Sequence, residues 1–377
     1  MHIEKTKLDD VITDIAAGPF GSNLKISCFI DYGFPIIDGA NLKGFKVTDN
    51  ITKFVTEEKA RSLHRSIARR NDIVVTISGT LGQIAYIPDD SNFEEYLCSQ
   101  RQFRVTFNTN KVFVPYLVYY FHSYEGQNKI LSFANQTGVP ALSQPLKNFR
   151  NIEIDLPDID SQKQIASVLL SLDDKIEMNT AINENLEQQA QAIYQSMFVS
   201  TLNGTDRTGL LSELIAVKYG KDHKKLNDGI YPVYGSGGIM RYVEKPIYEK
   251  ESVLIPRKGS LNNVMYVDEP FWSVDTMFYT EMKIPNVAKF VYHFVKSKDL
   301  ISLNAGSAVP SMTTDILNSM EVRIPSVERL AEFEGLVAPL YRAIKDNISQ
   351  SKSLAALRDT LLPKLMNGEI DVSEVKI

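Results

Sequence analysis

The sequence predicts an α+β protein: two similar α/β modules separated by two long helices that pair as an antiparallel coiled coil within one chain. Three observations predict it. A helix-like stretch occurs twice, a heptad seam runs through both copies, and the segment before the second copy weakly echoes the segment before the first.

The first copy runs from Pro157 to Phe198 and the second from Pro325 to Met366. At a constant offset Pro157 meets Pro325, Leu172 meets Leu340, Ile176 meets Ile344, Asn179 meets Asn347 and Leu186 meets Leu354, with no gap. In copy one Ile165, Leu169, Leu172, Ile176, Asn179, Asn183, Leu186, Ala190, Ile193 and Met197 step by alternating fours and threes. Phe333, Val337, Leu340, Ile344, Asn347, Ser351, Leu354, Arg358, Leu361 and Leu365 do the same in copy two. That spacing is a coiled-coil seam, and each helix would be roughly 60 Å long. Neither helix can hide so narrow and long a stripe alone, so each is expected to cover the other. Asn179 and Asn347 fall on the seam, where a buried Asn fixes register at a cost in stability. Pro339 should kink or interrupt the start of copy two. An ordinary helical domain is the competing reading, although uncapped helices of this length are unusual in one.

The 377 residues imply two or three domains, and 44 % hydrophobic with 23 % charged residues is ordinary for a soluble globular chain. The partition expected is residues 1–157 as a first module, 158–199 as a first long helix, 200–325 as a second module and 326–377 as a second long helix with a tail. The start, Met1-His2-Ile3-Glu4-Lys5, lacks a signal-peptide pattern, and no apolar run is long enough for a membrane helix. With only Cys28 and Cys98, a reducing, cytoplasmic setting is expected, with both as packing residues and a cysteine nucleophile as the sharper alternative. The net charge of −5 argues against a protein that simply coats DNA. The acid is concentrated: residues 158–198 hold two basic and seven acidic side chains, while residues 1–157 hold 17 of each.

In chain order, Leu8 to Ile15 reads as a short helical or extended start, and Gly18-Pro19-Phe20-Gly21-Ser22-Asn23 as a turn-rich loop. Phe34 to Ile37 enters a strand, Thr56 to Arg70 has helical spacing, and Asp72 to Ile77 is a β-branched strand ending in Ser78-Gly79-Thr80-Leu81-Gly82. Gln83 to Ile87 and Phe103 to Phe107 are further strands, Val114 to Tyr124 a buried aromatic helix, and Asn135 to Pro140 a polar loop. The second module repeats this plan. Tyr231-Pro232-Val233-Tyr234 echoes Phe34 to Ile37, Gly259 meets Gly79, Tyr266 meets Tyr86, Phe290 to Ser297 echoes Tyr116 to Ser123, and Gly306 to Pro310 echoes Gln136 to Pro140. Two diverged modules on one rigid spacer suggest two different readers on one ruler.

No catalytic motif emerges. The chain has no Asn/Asp-Pro-Pro-Tyr/Phe, no phosphate-binding GxxxxGK[ST], and no CxxC or HExxH among five scattered histidines. Asp158, Asp160 and Lys163 superficially suggest a nuclease, but at a helix start the acids serve as cap or first-turn residues. No metal site and no cofactor are expected in this chain.

On these residues the sequence resembles the specificity subunit of Type I restriction-modification systems, over essentially the whole chain. The likeness rests on the duplicated layout, on Leu156-Pro157 and Ile324-Pro325 leading into the long helices, and on Gln162 to Ile176. Ile77-Ser78-Gly79-Thr80 and Tyr231 to Gly238 add to it. Copy two departs from the pattern where Arg329-Leu330-Ala331-Glu332-Phe333 stands against Ser161 to Ile165. The resemblance implies a non-catalytic chain whose modules are target recognition domains. Each would read one half of a split DNA site, with the helices as spacer and docking surface. Two methyltransferase subunits would bind S-adenosylmethionine, and optional restriction subunits would use ATP and Mg. The rival from another class is a scaffold of two ligand-binding modules that touches no nucleic acid.

DNA reading calls for Arg, Lys, Asn, Gln, Ser and Thr on loops, some for phosphates and some for base edges. In module 1 the candidates are Ser22, Asn23, Arg69, Arg70, Ser78, Thr80, Gln100, Arg101, Gln102, Gln136 and Thr137. In module 2 they are Lys218, Lys221, Lys224, Lys225, Tyr234, Ser236, Arg257, Lys258, Ser260, Asn262, Asn263 and Ser307. Lys221 to Lys225 reads equally as a solvated loop. Arg257-Lys258-Gly259 is the sharper signal because it matches Ile77-Ser78-Gly79. The clusters Tyr116, Tyr119, Tyr120, Phe121 and Phe290, Tyr292, Phe294 read as module core, and Trp272 is open to either role.

Overall fold

Nearly every β-branched run identified above becomes a strand, and both heptad stretches become single helices, in a computed structural model that describes residues 3–135, 138–200, 206–303, 311–370 and 372. The chain forms two compact units. Unit 1 comprises Met1–Glu177 with Gln350–Ile377, and unit 2 comprises Met178–Ser349. Each unit therefore contains one module and a part of each long helix, cutting across the four-part division expected from sequence.

In unit 1, Ile3–Lys7 pairs antiparallel with Glu153–Pro157, which leads directly into the first long helix. A four-stranded antiparallel sheet has the order Ile12–Ala17, Gln102–Phe107, Ile73–Thr76, Ile84–Tyr86. A second sheet pairs Phe34–Ile37 in parallel with Glu95–Cys98. The aromatic helix Val114–His122 packs in the core, with Tyr116, Leu117, Tyr119 and Phe121 buried. Ile165 and Leu169 of the first long helix and Leu362 and Leu365 of the second share that core.

Unit 2 repeats the plan, with a three-stranded second sheet in place of unit 1's four-stranded one. Arg207–Leu210 pairs with Glu321–Ile324. The four-stranded sheet runs Ile215–Tyr219, Met277–Met282, Ser252–Pro256, Met265–Val267. Tyr231–Gly235 pairs in parallel with Trp272–Ser273. The helix Ala288–Lys296 lies in the core with Ala190, Tyr194, Phe333 and Val337 from the long helices.

The long helices span Ile159–Tyr194 and Val327–Met366. Every seam residue named above is buried or half-buried. Asn179 donates its amide to the Asn347 carbonyl at 3.4 Å, and Asn347 donates to Asn183 Oδ1 at 2.8 Å, as antiparallel pairing at this register requires. Asp158 caps the first helix, accepting from the Ser161 amide at 2.9 Å.

Two expectations are corrected. The second helix runs unbroken through Pro339 and also through Pro363. Each proline removes one backbone donor, and the packed seam holds the helix regardless. Thr56 to Arg70 is not one helix: Glu57–Ser62 is helical, and Ile67–Arg69 pairs as a strand with Glu95–Cys98. The first long helix ends in a π-helical turn over Gln195–Ser200, which buries Phe198. Cys98 is fully buried and its thiol is pushed up to about 12 by burial, the reverse of an activated nucleophile. None of the helices among the described residues is long and apolar enough to cross a membrane.

Candidate nucleic-acid interface

The candidate loops gather at one end of the four-stranded sheet in each module, and the two modules build that end from matching backbone contacts. After the first strand, the Gly18 amide donates to the Gln102 carbonyl at 2.8 Å, and the Gly220 amide donates to the Met277 carbonyl at 3.0 Å. A Cβ on Gly18 would fall 1.8 Å from the Ser99 carbonyl oxygen, and one on Gly220 2.0 Å from that of Val274. Only glycine allows so close a crossing.

The next loop repeats as closely. Ile77 and Arg257 each donate their amide across to the neighbouring strand, to Arg101 and Thr276, and accept from Leu142 and Met312. Ser78 bridges to Ala141 and Lys258 to Ser311. Gly79 and Gly259 both take left-handed backbone, with φ of 100° and 86°. A side-chain amide then straps the loop: Gln83 donates to the Gly39 carbonyl at 3.0 Å, and Asn263 to the Ser236 carbonyl at 2.7 Å.

On this shared frame each module carries one guanidinium at this end, one beside the left-handed glycine and the other over an aromatic ring. In module 1 it is exposed Arg101, whose Nη1 lies 3.8 Å from where a Gly79 Cβ would be. In module 2 it is Arg257, two residues before Gly259, stacked 5.3 Å over the exposed Tyr219 ring and donating to the Asp275 carbonyl at 3.2 Å. Exposed Arg and Lys above backbone amides in left-handed turns suit phosphate or base-edge contact.

A match to the family described as Type I restriction modification DNA specificity domain covers residues 3–188 and 211–331. The chain belongs to this family. It is a DNA specificity subunit, similar to the Type I restriction enzyme MjaIX specificity subunit of Methanocaldococcus jannaschii, at 22 % identity over 364 residues that cover 85 % of this chain and 82 % of that one. It is also similar to the Type I restriction enzyme HindI specificity subunit of Haemophilus influenzae, at 21 % identity covering 77 % and 84 %. The crystal structure of a Type I restriction-modification S subunit from M. genitalium shares the fold, with a TM-score of 0.57 at 18 % identity over 97 % of this chain and 96 % of that one.

In the specificity subunit, Ser78, Thr80, Gln100, Arg101 and Gln102 line a single cavity of about 530 Å³. Gln100 donates to the carbonyls of Gly21 (3.3 Å) and Leu24 (2.5 Å), which brings the exposed Ser22 and Asn23 to the same end. Arg69 and Arg70 do not join them. They precede the strand Ile73–Thr76 that Ser78 follows, where Arg69 pairs with Glu95 at 2.9 Å and Arg70 donates to the Ser91 carbonyl at 3.0 Å. Gln102 is only 1 % exposed and its Oε1 accepts from Ser99, so it cannot reach into a DNA groove as sequence suggested.

In module 2, Lys258 and Ser260 are exposed at the matching loop, and Lys221, Lys224 and Lys225 are exposed on the loop after Gly220. Trp272 is structural: its indole donates to the Lys221 carbonyl at 2.8 Å and fixes that loop. Four candidates are corrected to structural roles. Asn263 is the strap, with Ser236 half-buried and accepting it through its carbonyl; Asn262 Oδ1 accepts from the Leu300 amide at 3.0 Å; and Tyr234 donates inward to Glu269 at 3.2 Å. Lys218 pairs with Glu281 at 3.5 Å. Gln136, Thr137 and Ser307 lie outside the described residues.

Sequence reasoning missed Asp38 and Lys53, which join the module 1 cavity from another sheet. They pair at 2.5 Å. Burial pushes the Asp38 carboxyl up, but the Lys53 ammonium and the Ala40 amide outweigh it and hold it below the usual carboxylate range. The chain also leaves Phe20 and Ile26 84 % exposed beside Gly21 and Leu24.

Proposed function

We propose that the modules over residues 1–157 and 200–325 are target recognition domains, each reading one half of a bipartite DNA site. The long helices, at 158–199 and 326–377, set the gap between the halves and dock two methyltransferase subunits. The observation that carries this reading is the duplicated strand-end frame with a different side-chain set on each copy: Ser78 against Lys258, and Arg101 against Arg257. A constant frame with exchanged readers is what two half-sites of different sequence require. Half-sites one turn apart are about 34 Å apart, a span that helices of 36 and 40 residues, roughly 54 and 60 Å, can bridge.

Catalysis and its cofactors belong to the partners in this reading: S-adenosylmethionine to the methyltransferase subunits, ATP and Mg to any restriction subunit. The DNA contacts are Ser22, Asn23, Ser78, Thr80, Gln100 and Arg101 in module 1, and Lys221, Lys224, Lys225, Arg257, Lys258 and Ser260 in module 2. The acting location is the cytoplasm, where the chromosome is. The test is the methylome of cells carrying the neighbouring methyltransferase, with and without this chain. The expected result is a split motif of two short halves around a fixed gap, lost on deletion. An unchanged methylome, with binding insensitive to salt, would instead support a scaffold that touches no nucleic acid.

A further inference from the structure

The module 1 cavity has the size and mixed lining of a small-ligand site. Its volume of about 530 Å³ falls within the roughly 300–1,000 Å³ of small-ligand sites. Its walls combine apolar Leu24, Phe29 and Ile36 with polar Asp38, Gln83 and Gln102. Gln83 is committed, accepting from Thr76 Oγ1 at 3.1 Å and donating to Gly39. Gln102 is not: its Oε1 takes the Ser99 hydroxyl, and its Nε2 donates to none of the described residues. That amide is not among the sealed, unpartnered polar atoms of the described residues, so it is open to an acceptor that enters the cavity. Asp38, holding the Lys53 ammonium and the Ala40 amide, offers carboxylate lone pairs to an incoming donor.

Module 2 places apolar residues at the same positions. The register Thr76 with Gln102 becomes Pro256 with Met277, and Asp38, the residue after Ile37, becomes Gly235, the residue after Tyr234. Met277 is fully buried, and Met240 Sδ lies 2.6 Å from where a Gly235 Cβ would be. The shared frame therefore does not require the polar floor. At its rim Ile26 lines the opening and Phe20 stands on the adjoining turn, both held exposed on a loop tied down by Gln100 and by the Gly18 crossing. An exposed, rigidly mounted aromatic beside DNA-facing loops is suited to wedging between base steps.

We propose that module 1 takes one nucleobase out of the DNA stack into this cavity. Phe20 fills the gap left behind, and Gln102 and Asp38 read the donor–acceptor edge of the extruded base. The inference rests on the DNA-reading function proposed above. Extrusion costs unstacking, which is smallest at mismatched or weakly stacked steps, and the edge is then read free of its pairing partner.

The test uses the full chain, alone and assembled with its methyltransferase subunits, on duplexes containing the site found in the methylome. The module 1 half is the half whose readout changes in Arg101→Ala. 2-Aminopurine, which brightens when unstacked, is placed at each position of that half in turn. One position should brighten several-fold on binding. Gln102→Met, which installs the residue module 2 carries there, and the surface change Phe20→Ala should each abolish most of that signal. Gln102→Met should also relax base preference at that one position by about tenfold. Specific binding with no position brightening would overturn the extrusion and leave the half-site reading intact. Brightening that survives both substitutions would assign the unstacked base to a partner subunit and equally overturn it. Failure of the chain and its complex to bind the site at all would remove the half-site reading, and this inference with it.

Discussion

Where the module meets the long helices both units carry ion pairs, but at the centre of that contact unit 1 is ionic and unit 2 is neutral. In unit 1, Tyr119 of the aromatic helix donates to Asp173, and Arg358 of the second long helix pairs with the same carboxylate at 2.5 Å. These side chains are 10 % (Asp173) and 17 % (Arg358) exposed, and Arg358 lies 4.8 Å over the Phe45 ring. Lys46, on the same loop, reaches Asp174 and Glu177 at 2.9 Å each. By the repeat, Asp173 corresponds to Tyr341, Arg358 to Ala190 and Tyr119 to His293. In unit 2 the fully buried His293 accordingly donates to Gln191 Oε1 at 2.7 Å and accepts from the Tyr341 hydroxyl at 3.0 Å. The ions there sit to the side, where Lys289 pairs with Glu334 at 2.7 Å and Lys296 with Glu187 at 2.5 Å. Duplication has preserved the seam and the placing of the aromatic helix while the chemistry joining them was exchanged. The shape of this contact is therefore set by apolar packing, and its polar centre is open to any self-satisfied set.

That view is most exposed at Arg358. Arg358→Leu removes one partner and leaves Asp173 a buried charge with only a phenol to answer it, so unit 1 should lose about 3–4 kcal/mol, near the lower end for a broken buried pair. Asp173→Leu/Arg358→Leu should recover most of that loss, because neutral groups already fill the matching place in unit 2. Urea denaturation of both variants tests it. A double variant as unstable as the single one would mean that the pair itself holds the junction.

The second test uses pH. Burial pushes the His293 imidazole down to about 4, the effect of the Glu187 carboxylate being smaller. In the unfolded chain it titrates near its ordinary 6.5. Between those values the unfolded chain takes up a proton that the folded one refuses, so this contribution to stability is complete above pH 6.5 and is lost as pH falls through 4. The loss is about 3.5 kcal/mol, from some two and a half units at 1.4 kcal/mol each. His293→Gln should flatten the profile of unit 2 across that window, and an unaltered slope would remove His293 as its cause. Unit 1 has Tyr119 at the matching place, but His122, three residues on, is also pushed down by burial, so acid should loosen both units and His293→Gln should change the profile of unit 2 alone.

The strand-end loops give a smaller contrast. Arg101→Ala and Arg257→Ala should each weaken binding of the assembled complex about tenfold, ~1.4 kcal/mol, and each should relax only its own half of the motif. Equal relaxation of both halves would show that the arginines serve general phosphate attraction.

Much of this was legible before any coordinates because the repeat carries its own register. The heptad seam, the aromatic helices, the paired strands and the correspondence of Gly79 with Gly259 all follow from local pattern. What failed was the inference from residue type to role. Asn262 and Asn263 look like base readers in sequence and are loop straps in space, because an amide serves either purpose and only its partner decides. Gln102 looked solvent-facing because it sits among polar residues, yet it begins a strand whose next three residues are all buried. The crossings at Gly18 and Gly220 show no local signal beyond glycine itself, and the cavity joins Asp38, Lys53 and Gln102, which no spacing rule connects. Pro339 misled in the opposite direction, since a local rule lost to a long packed seam.

The smallest expected effect concerns the seam itself, the feature both units share. Asn179 is 1 % exposed and donates to the Asn347 carbonyl, while Asn347 donates to Asn183. If these amides act as a register device, Asn179→Leu should raise thermal stability by about 1 kcal/mol through added apolar burial and permit the helices to pair out of step. Out-of-step pairing would appear as heterogeneous cross-linking between cysteines introduced at Ser171 and Leu361, and as a blurred gap between the methylated half-sites. A clear loss of stability with a single cross-linking register would instead make Asn179 part of the packing that holds the helices together. Specificity of register would then come from the unequal junctions at the two ends, with the ionic one in unit 1 rejecting any alignment that leaves Arg358 without Asp173.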